Sequence, residues 1–572
     1  MLKQTGTDFN AGPCCQGKKG TDMSNLINTA LSGINAASAA LNTTSNNISN
    51  YSVAGYSRQT TVLAQANSTL SGTNYYGNGV SVASVNREYD AFITNQLRAA
   101  STSSSALTTQ YSQLSNIDDM FSSSTNTLST NMQDFFASLQ TLVSNADDSS
   151  SRQAVLGKAD GLVNQFQVTD TYLKNLDSSL NTSISSTVDQ VNGYAKQIAN
   201  INQQITKLKG AGDGSAPNAL LDQRDQLVSK LNDLVGVTVS QQDGGSYNVS
   251  IGNGISLVQG DSYNQLAAVA SSADPTRTTI ATVDASTGAK TEIPEKLITT
   301  GSLGGLLAFR TDLDNTRNQL GQLALGLASS FNTQHEAGYD SNGDAGEAFF
   351  NYGSPSVTTN TSNKGTASMT ATVTDASAVQ ASNYKVSYDG TNWNVTRLSD
   401  NASVTATSGT DSSGNATLSF DGLQLTLGGT PASKDSFLVK PVADVISNMS
   451  VNITDEAKLA AAGADDGVSD NTNAQSLLNL QTKKVITGNS TLTQAYASMV
   501  ADIGNKTSTL ETTSTTQTNV VTQLTNQQQS VSGVNLDEEY GNLTRYQQYY
   551  TANAQVIQTA STIFNALITA VS

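Results

Sequence analysis

Charge is scarce in this 572-residue chain, where Asp, Glu, Lys and Arg together make up 13%. That is about half the share usual for globular proteins, so the polar surface must come largely from Ser, Thr, Asn and Gln. What charge there is sums to −17. A basic footprint is missing, which argues against nucleic-acid backbones and anionic membranes as partners. No apolar run approaches the roughly 20 residues that cross a bilayer, so no membrane insertion is expected. Histidine occurs once, at His335, and cysteine only as the adjacent pair Cys14 and Cys15. A Cys/His or zinc arrangement therefore has little material, and His335 reads as a surface or helix-end residue. A body without thiols suits export into an oxidising medium. No phosphate-cradling glycine loop with a following Lys-Ser or Lys-Thr is present. Residues 1–22 lack the apolar core of a secretory signal peptide; they read as an extension outside the fold, since the helical pattern begins at Met23.

What is present begins with two uncharged stretches at opposite ends of the chain. No Asp, Glu, Lys or Arg occurs between Met23 and Ser57, and none follows Arg545. In the first stretch Ile27, Ile34, Leu41 and Ile48 recur every seven residues, with Ala30, Ala37 and Thr44 between them. In the second, Leu543, Tyr546, Tyr550, Ile557, Ala560, Phe564, Leu567 and Val571 alternate three and four, with Asn553 as the polar step. Both are heptad seams. Helices of this length would be roughly 40 Å long and can lie side by side. A coiled coil that meets water normally carries charge beside its seam. Such helices look built to be covered by other subunits, and short helices without support are marginal in water. Both ends are thus expected to be loose in the free chain and ordered in a polymer. The competing reading is a helix pair that simply closes a monomeric bundle.

Between these ends the period of the apolar residues changes twice. Residues 92–148 are helix-prone, with Phe135, Phe136, Leu139, Leu142 and Val143 on one stripe. From Ile184 to Leu208 the three-four alternation is unbroken, predicting a long straight helix, and 217–236 returns as a shorter antiparallel partner. The period then falls to 2, with Val237 and Val239, Tyr247, Val249 and Ile251, and Ile255 and Leu257 separated by Gly-rich turns: hairpins. A helical interlude covers about 303–334. Further strands follow around Tyr384–Tyr388, Trp393 and Val395, and 418–427. Helix resumes near Asn473 and continues through Leu492, Tyr496, Met499, Ile503 and Leu510 to Val531, and this arm is expected to pair with the run ending at Leu208. Asn535 reads as an N-cap, with Glu538 completing a capping box. The expected fold class is α+β and multidomain: a terminal α-helical coiled coil, an elongated helical bundle built from both halves of the chain, and an inserted mostly-β outer domain. The corresponding segments are 23–60 with 532–572, 61–236 with 441–531 including a β-hairpin arm, and 237–440.

Two short segments carry a resemblance. Asn46, Asn47, Ile48, Gly55, Tyr56 and Arg58 form an Asn-Asn-Ile, polar turn, Gly-Tyr-x-Arg pattern, and Gly79, Val80, Val82, Arg87 and Asp90 a second one. Together they resemble the signatures of bacterial flagellar axial proteins of the rod, hook and hook-associated class. Flagellin also has helical ends but lacks this turn. Residues 532–561 resemble the C-terminal signature of the hook-associated branch, and with 217–228 and 471–481 the likeness spans nearly everything from Met23 to Ser572. The first 22 residues depart from it.

The resemblance implies a structural subunit of the junction between hook and filament, exported through the flagellar type III channel and neither enzymatic nor cofactor-dependent. Implied partners are hook protein, a second hook-associated protein, copies of the chain itself in a ring, and a cytoplasmic export chaperone on the C-terminal helix. Assembly is assigned to the seam residues Ile27, Ile34, Leu41, Ile48, Leu543, Tyr546, Tyr550, Ile557, Phe564 and Leu567 and to the turn Gly55, Tyr56 and Arg58. Two alternatives stay open: another axial protein, hook-like or flagellin-like, or a secreted adhesin or hydrolase with axial-type termini. Asp340, Asn342 and Asp344 have the alternate spacing of a calcium loop, but Ala345 stands where the loop needs Gly and Asn351 where it needs Glu. An Asx turn is the expected reading.

Overall fold

A computed structural model describes residues 18–71, 74–122, 127–211, 217–465 and 467–571. Cys14, Cys15 and the first 17 residues lie outside the described part, as do 212–216 in the break before Pro217.

Nine α-helices occur among the described residues: α1 (Lys18–Ser49), α2 (Ala91–Ser122), α3 (Leu128–Ser144), α4 (Ser149–Ala211), α5 (Asn218–Leu234), α6 (Gly301–His335), α7 (Thr472–Asn479), α8 (Leu492–Ser532) and α9 (Leu536–Val571). The 63 residues of α4 make a rod roughly 95 Å long. Its apolar positions stay on one stripe, and Leu162, Phe166, Leu173, Leu180, Ile184, Val191 and Ile198 are all buried. Against it lie α3, α5, α6 and the sheets that follow α5.

Helix α6 is the centre of the helical body. Leu303, Leu306, Phe309, Leu313, Leu320, Leu323, Leu327 and Phe331 are buried around nearly its whole circumference, which is why the sequence shows little amphipathic period there. Near its end Phe331 meets Phe135 of α3 at 5.2 Å and Phe349 at 4.8 Å between ring centroids. Each fully buried ring of this cluster contributes about 2–3 kcal/mol.

Two segments differ from the sequence reading. Helix α8 does not pair with the 184–208 run; it packs on α2 and α6. The stripe of α4 is already covered by sheets, which its asparagines hold. Asn192 bonds both the N–H and the carbonyl of Leu266, each at 2.8 Å, and Asn202 does the same for Tyr247 at 3.1 and 2.8 Å. The returning helix is also interrupted, because α7 stops at Asn479 and α8 starts afresh at a capping box. There Thr491 Oγ1 accepts the Gln494 N–H at 3.2 Å, and Gln494 Oε1 accepts the Thr491 N–H at 3.1 Å.

His335 sits at a helix end, as expected, but it is fully buried rather than on the surface. Its Nδ1 lies 2.6 Å from the Glu347 carbonyl, and its Nε2 accepts the Ala460 N–H at 2.9 Å. The ring therefore fills both hydrogen bonds only as the neutral Nδ1–H tautomer, and burial pushes its pKa down to about 4.

Among the described residues the paired β-strands are all antiparallel. An antiparallel meander of Val237–Gln241, Tyr247–Ile251, Ile255–Gln259 and Ser262–Tyr263 is followed by a three-stranded sheet, and both rest on α4. Beyond α6, a five-stranded sheet orders Ser356–Thr359, Ser436–Lys440, Tyr384–Tyr388, Trp393–Arg397 and Ser403–Val404. The strands Ser368–Val373, Leu423–Gly428, Ala416–Phe420 and Thr407–Thr410 form a second sheet. Tyr388 pairs with Trp393 and Val386 with Val395, in the register the turn at 389–392 dictates. Tyr384 of one sheet packs on Phe420 of the other at 5.0 Å between ring centroids. The first and last strands of this unit pair Ser356 with Lys440, so the chain enters and leaves it at one place.

Candidate assembly site at the chain termini

Helices α1 and α9 lie side by side and antiparallel: a side chain at Gly33 would meet Asn553, while the end of α1 lies beside the start of α9. The contact is close because it is made of small residues. Ala30, Ala36, Ala37, Ala40, Thr44 and Asn47 are buried on α1, and Ala560 is buried on α9. Gly33 leaves the room that Asn553 occupies.

The centre of this seam differs from the one read in the sequence. Ile27, Ile34, Leu41 and Ile48 are half-buried at its margin, as are Leu543, Tyr546 and Ile557 on α9. Tyr550, Phe564 and Leu567 are exposed. Weighting by hydrophobicity places the large aliphatics at the centre, whereas close helix approach favours Ala, Gly and Thr there and moves the large side chains to the flanks.

The consequence is an uncovered apolar face. Leu26, Leu31, Tyr549, Val556, Ile563, Phe564, Leu567 and Ile568 are exposed by between 37% and 52%. Among the described residues, all but six of the exposed large apolar side chains (Val168, Tyr172, Leu208, Tyr263, Leu398 and Val468) lie within 26–92 or 520–568. They include Leu70, Tyr75 and Tyr76 in the hairpin arm, whose long strands Gln59–Gln65 and Val80–Arg87 pair with each other and pack on α1. No charged residue lies between Arg58 and Arg87 to break that surface.

The Gly-Tyr-x-Arg turn joins this end to the helical body. Gly55 takes a φ of 81°, a conformation glycine adopts without the usual side-chain clash. Tyr56 Oη donates to Asn47 Oδ1 at 2.7 Å, and Asn47 also bonds both the N–H and the carbonyl of Gln59. Burial, with Asp222 and Glu539 nearby, pushes the Tyr56 phenol up to about 12. Arg58 clamps the start of α9, with Nη1 2.8 Å from Glu538 and Nε 2.8 Å from the buried Glu539. Glu538 is therefore an ion-pair partner and not the arm of a capping box; the Asn535 side chain instead accepts the Asp537 N–H at 3.0 Å. Ser57, between Tyr56 and Arg58, faces the other way, to Asp222 of α5. Sequence reasoning singled out neither Ser57 nor Asp222. Asp222 and Asp225, three apart on α5, were the visible signal, since that spacing puts two carboxylates on one helix face.

The loop at Asp340 is an Asx turn. Asp340 Oδ1 accepts the N–H groups of Asn342 and Asp344, and the Lys458 ammonium lies 3.2 Å from Asp340 and 3.0 Å from Asp344, where a cation would sit.

Comparison with known proteins decides the family. A "Flagellar hook-associated protein FlgK helical domain" matches residues 114–350, and a "Flagellar hook-associated protein 1, D2-like domain" matches 358–441. The flagellar basal body rod families match at the two ends, over 27–56 and 525–570. Flagellar hook-associated protein 1 of Escherichia coli K12 is 63% identical, covering 96% of this chain and 100% of that one. The chain belongs to the flagellar hook-associated protein 1 family. The Salmonella typhimurium member is 59% identical over the same shares. The solved structure of the flagellar hook junction protein FlgK from Burkholderia pseudomallei matches with a TM-score of 0.72 at 30% identity, covering 77% of this chain and all of that one. The family is structural, not enzymatic, and the chain is an α+β multidomain component of the bacterial flagellum. The two rod-family matches cover most of α1 with the turn that follows it, and the end of α8 with α9, so they include the helices that expose the apolar face.

Proposed function

We propose that this chain forms the hook–filament junction by burying the uncovered face of α1 and α9 against the same helices of neighbouring copies. The observation that carries the reading is the combination of exposed Tyr549, Tyr550, Val556, Ile563, Phe564 and Ile568 with the absence of any charge after Arg545. Exposed apolar patches of this extent mark interaction surfaces. Hook protein on one side and the second hook-associated protein on the other are the neighbours this surface meets along the axis. The chain reaches them by type III export, with a cytoplasmic chaperone covering α9 beforehand. In the ring the helical body and sheets lie outside the stacked terminal helices and link a curved hook to a stiffer filament.

Phe564→Asp and Leu567→Asp test the reading. Both side chains are exposed in the free chain, so the purified variants keep their thermal midpoint, with a stability change below about 0.5 kcal/mol. In a strain lacking the native gene they fail to restore filaments or swimming, because each buries a charge in an assembled seam. Normal filaments and swimming with either variant would contradict the proposal.

A further inference from the structure

We propose that Asp222 is a positioning residue that fixes the angle between the terminal helix pair and the helical body. The inference rests on the reading of the terminal pair as the assembling part. The backbone links between the two parts are short: the exit of the hairpin arm at 88–90 and the three residues 533–535 between α8 and α9. A short link does not by itself hold an angle.

The alternation of side chains through the turn divides the work. Tyr56 and Arg58 bind groups of the terminal pair, Asn47 and Glu539, while Ser57 binds the body. Asp222 is buried and accepts three hydrogen bonds, from the Ser57 N–H at 3.1 Å, from Ser57 Oγ at 2.8 Å and from Arg87 Nη1 at 3.0 Å. Arg87 is the last residue of the hairpin arm, and that arm travels with the terminal pair. The Val80 N–H donates to Ser32 Oγ at 3.1 Å, and Thr61 bonds Thr43 at 2.8 Å, both on α1. Asp222 therefore grips the terminal unit at two separated points, and two points on one carboxylate resist rotation where one would allow it. The grip is stiffened from behind. Arg87 also pairs with Asp225 at 2.7 Å, and Asp225 pairs with Arg98 of α2 at 3.1 Å, so the ladder is anchored in a second helix of the body. Charge-assisted bonds out of water are short and directional. Two uncharged ties from α5 lie beside it, Asn218 Nδ2 to the Val85 carbonyl at 2.8 Å and Gln226 Nε2 to the Ala54 carbonyl at 3.2 Å.

The test measures orientation in the free protein, so it does not depend on assembly. In a full chain carrying Cys14→Ser and Cys15→Ser, spin labels are placed at the exposed positions Ser45→Cys on α1 and Gln190→Cys on α4, and the distance distribution is recorded by pulsed electron paramagnetic resonance. With Asp222 present the distribution is single and narrow. Asp222→Ala at least doubles its width or shifts its centre while circular dichroism shows an intact fold. If Asp222→Ala does not fold, Asp222→Asn is measured; it keeps one acceptor for Ser57 and loses the charge pair with Arg87, so it gives an intermediate width. An unchanged distribution in a folded variant, or one already as broad with Asp222 present, overturns the proposal. Either result leaves the swimming phenotype of Phe564→Asp as an independent measure of the assembly reading.

Discussion

His335 performs no chemistry, yet its protonation state is part of the fold. The ring is neutral with its pKa near 4, against 6.5 for an ordinary imidazole. Between those values the unfolded chain binds a proton that the folded chain refuses. The contribution of this group to stability is therefore undiminished above pH 6.5, falls as the pH drops through that window, and levels off below about 4, with a loss on the order of 3 kcal/mol from His335 alone. Chemical denaturation at pH 7, 6 and 5 reads this slope, and His335→Gln should flatten it while lowering stability at pH 7. A slope unchanged in the variant would assign it to other groups. The sequence places His335 at a helix end or on the surface and misses its burial, because that burial depends on Phe349 and on the Ala460 N–H, neither of which is a near neighbour along the chain. Ser57 was illegible for the same reason: its partner Asp222 lies 165 residues away. Tyr56 and Arg58 were legible only through the family pattern.

At the scale of elements, periodicity located helices well and chose their partners poorly. The unbroken alternation before Leu208 is the end of α4, the 217–236 return is α5, and the interlude at 303–334 is α6. An apolar stripe says that something covers it and not what does, so α8 could be assigned to α4 when its true neighbours are α2 and α6. The terminal seam was shifted for a related reason, since hydrophobic weight favours Ile34 and Leu41 while the close approach belongs to Gly33, Ala37 and Ala40. Arg58 is the tie whose loss this arrangement makes costly. Arg58→Ala strands the buried Glu539 carboxylate, at about 3 kcal/mol. The terminal pair opens locally, so amide exchange in α1 and at the start of α9 should rise about a hundredfold while α4 is unaffected. Equal acceleration in α4 would mean that the pair and the body unfold as one unit, and no acceleration in α9 would mean that the clamp is idle.

For the whole molecule, support declines along the terminal pair. At the joint, Asn47, Tyr56, Arg58 and Glu539 are tied together, whereas every described side chain from 561 to 570 is exposed. The body is different, with a continuous core running from α3 through α6 to the outer sheets. A molecule made this way has a finished body and one unfinished end, which is what a subunit completed by its neighbours requires. Composition already pointed to that end through its missing charge. The measurement that bears on this most directly is amide hydrogen exchange on the free protein and on the same protein assembled between hook and filament. In the free protein, exchange should be fast at 561–571, slower towards the joint and slowest in α4 and α6. Assembly should slow exchange at 561–571 by about a hundredfold or more and leave α4 and α6 as they were. Exchange at 561–571 that is already slow in the free protein, or that assembly does not change, would contradict the account.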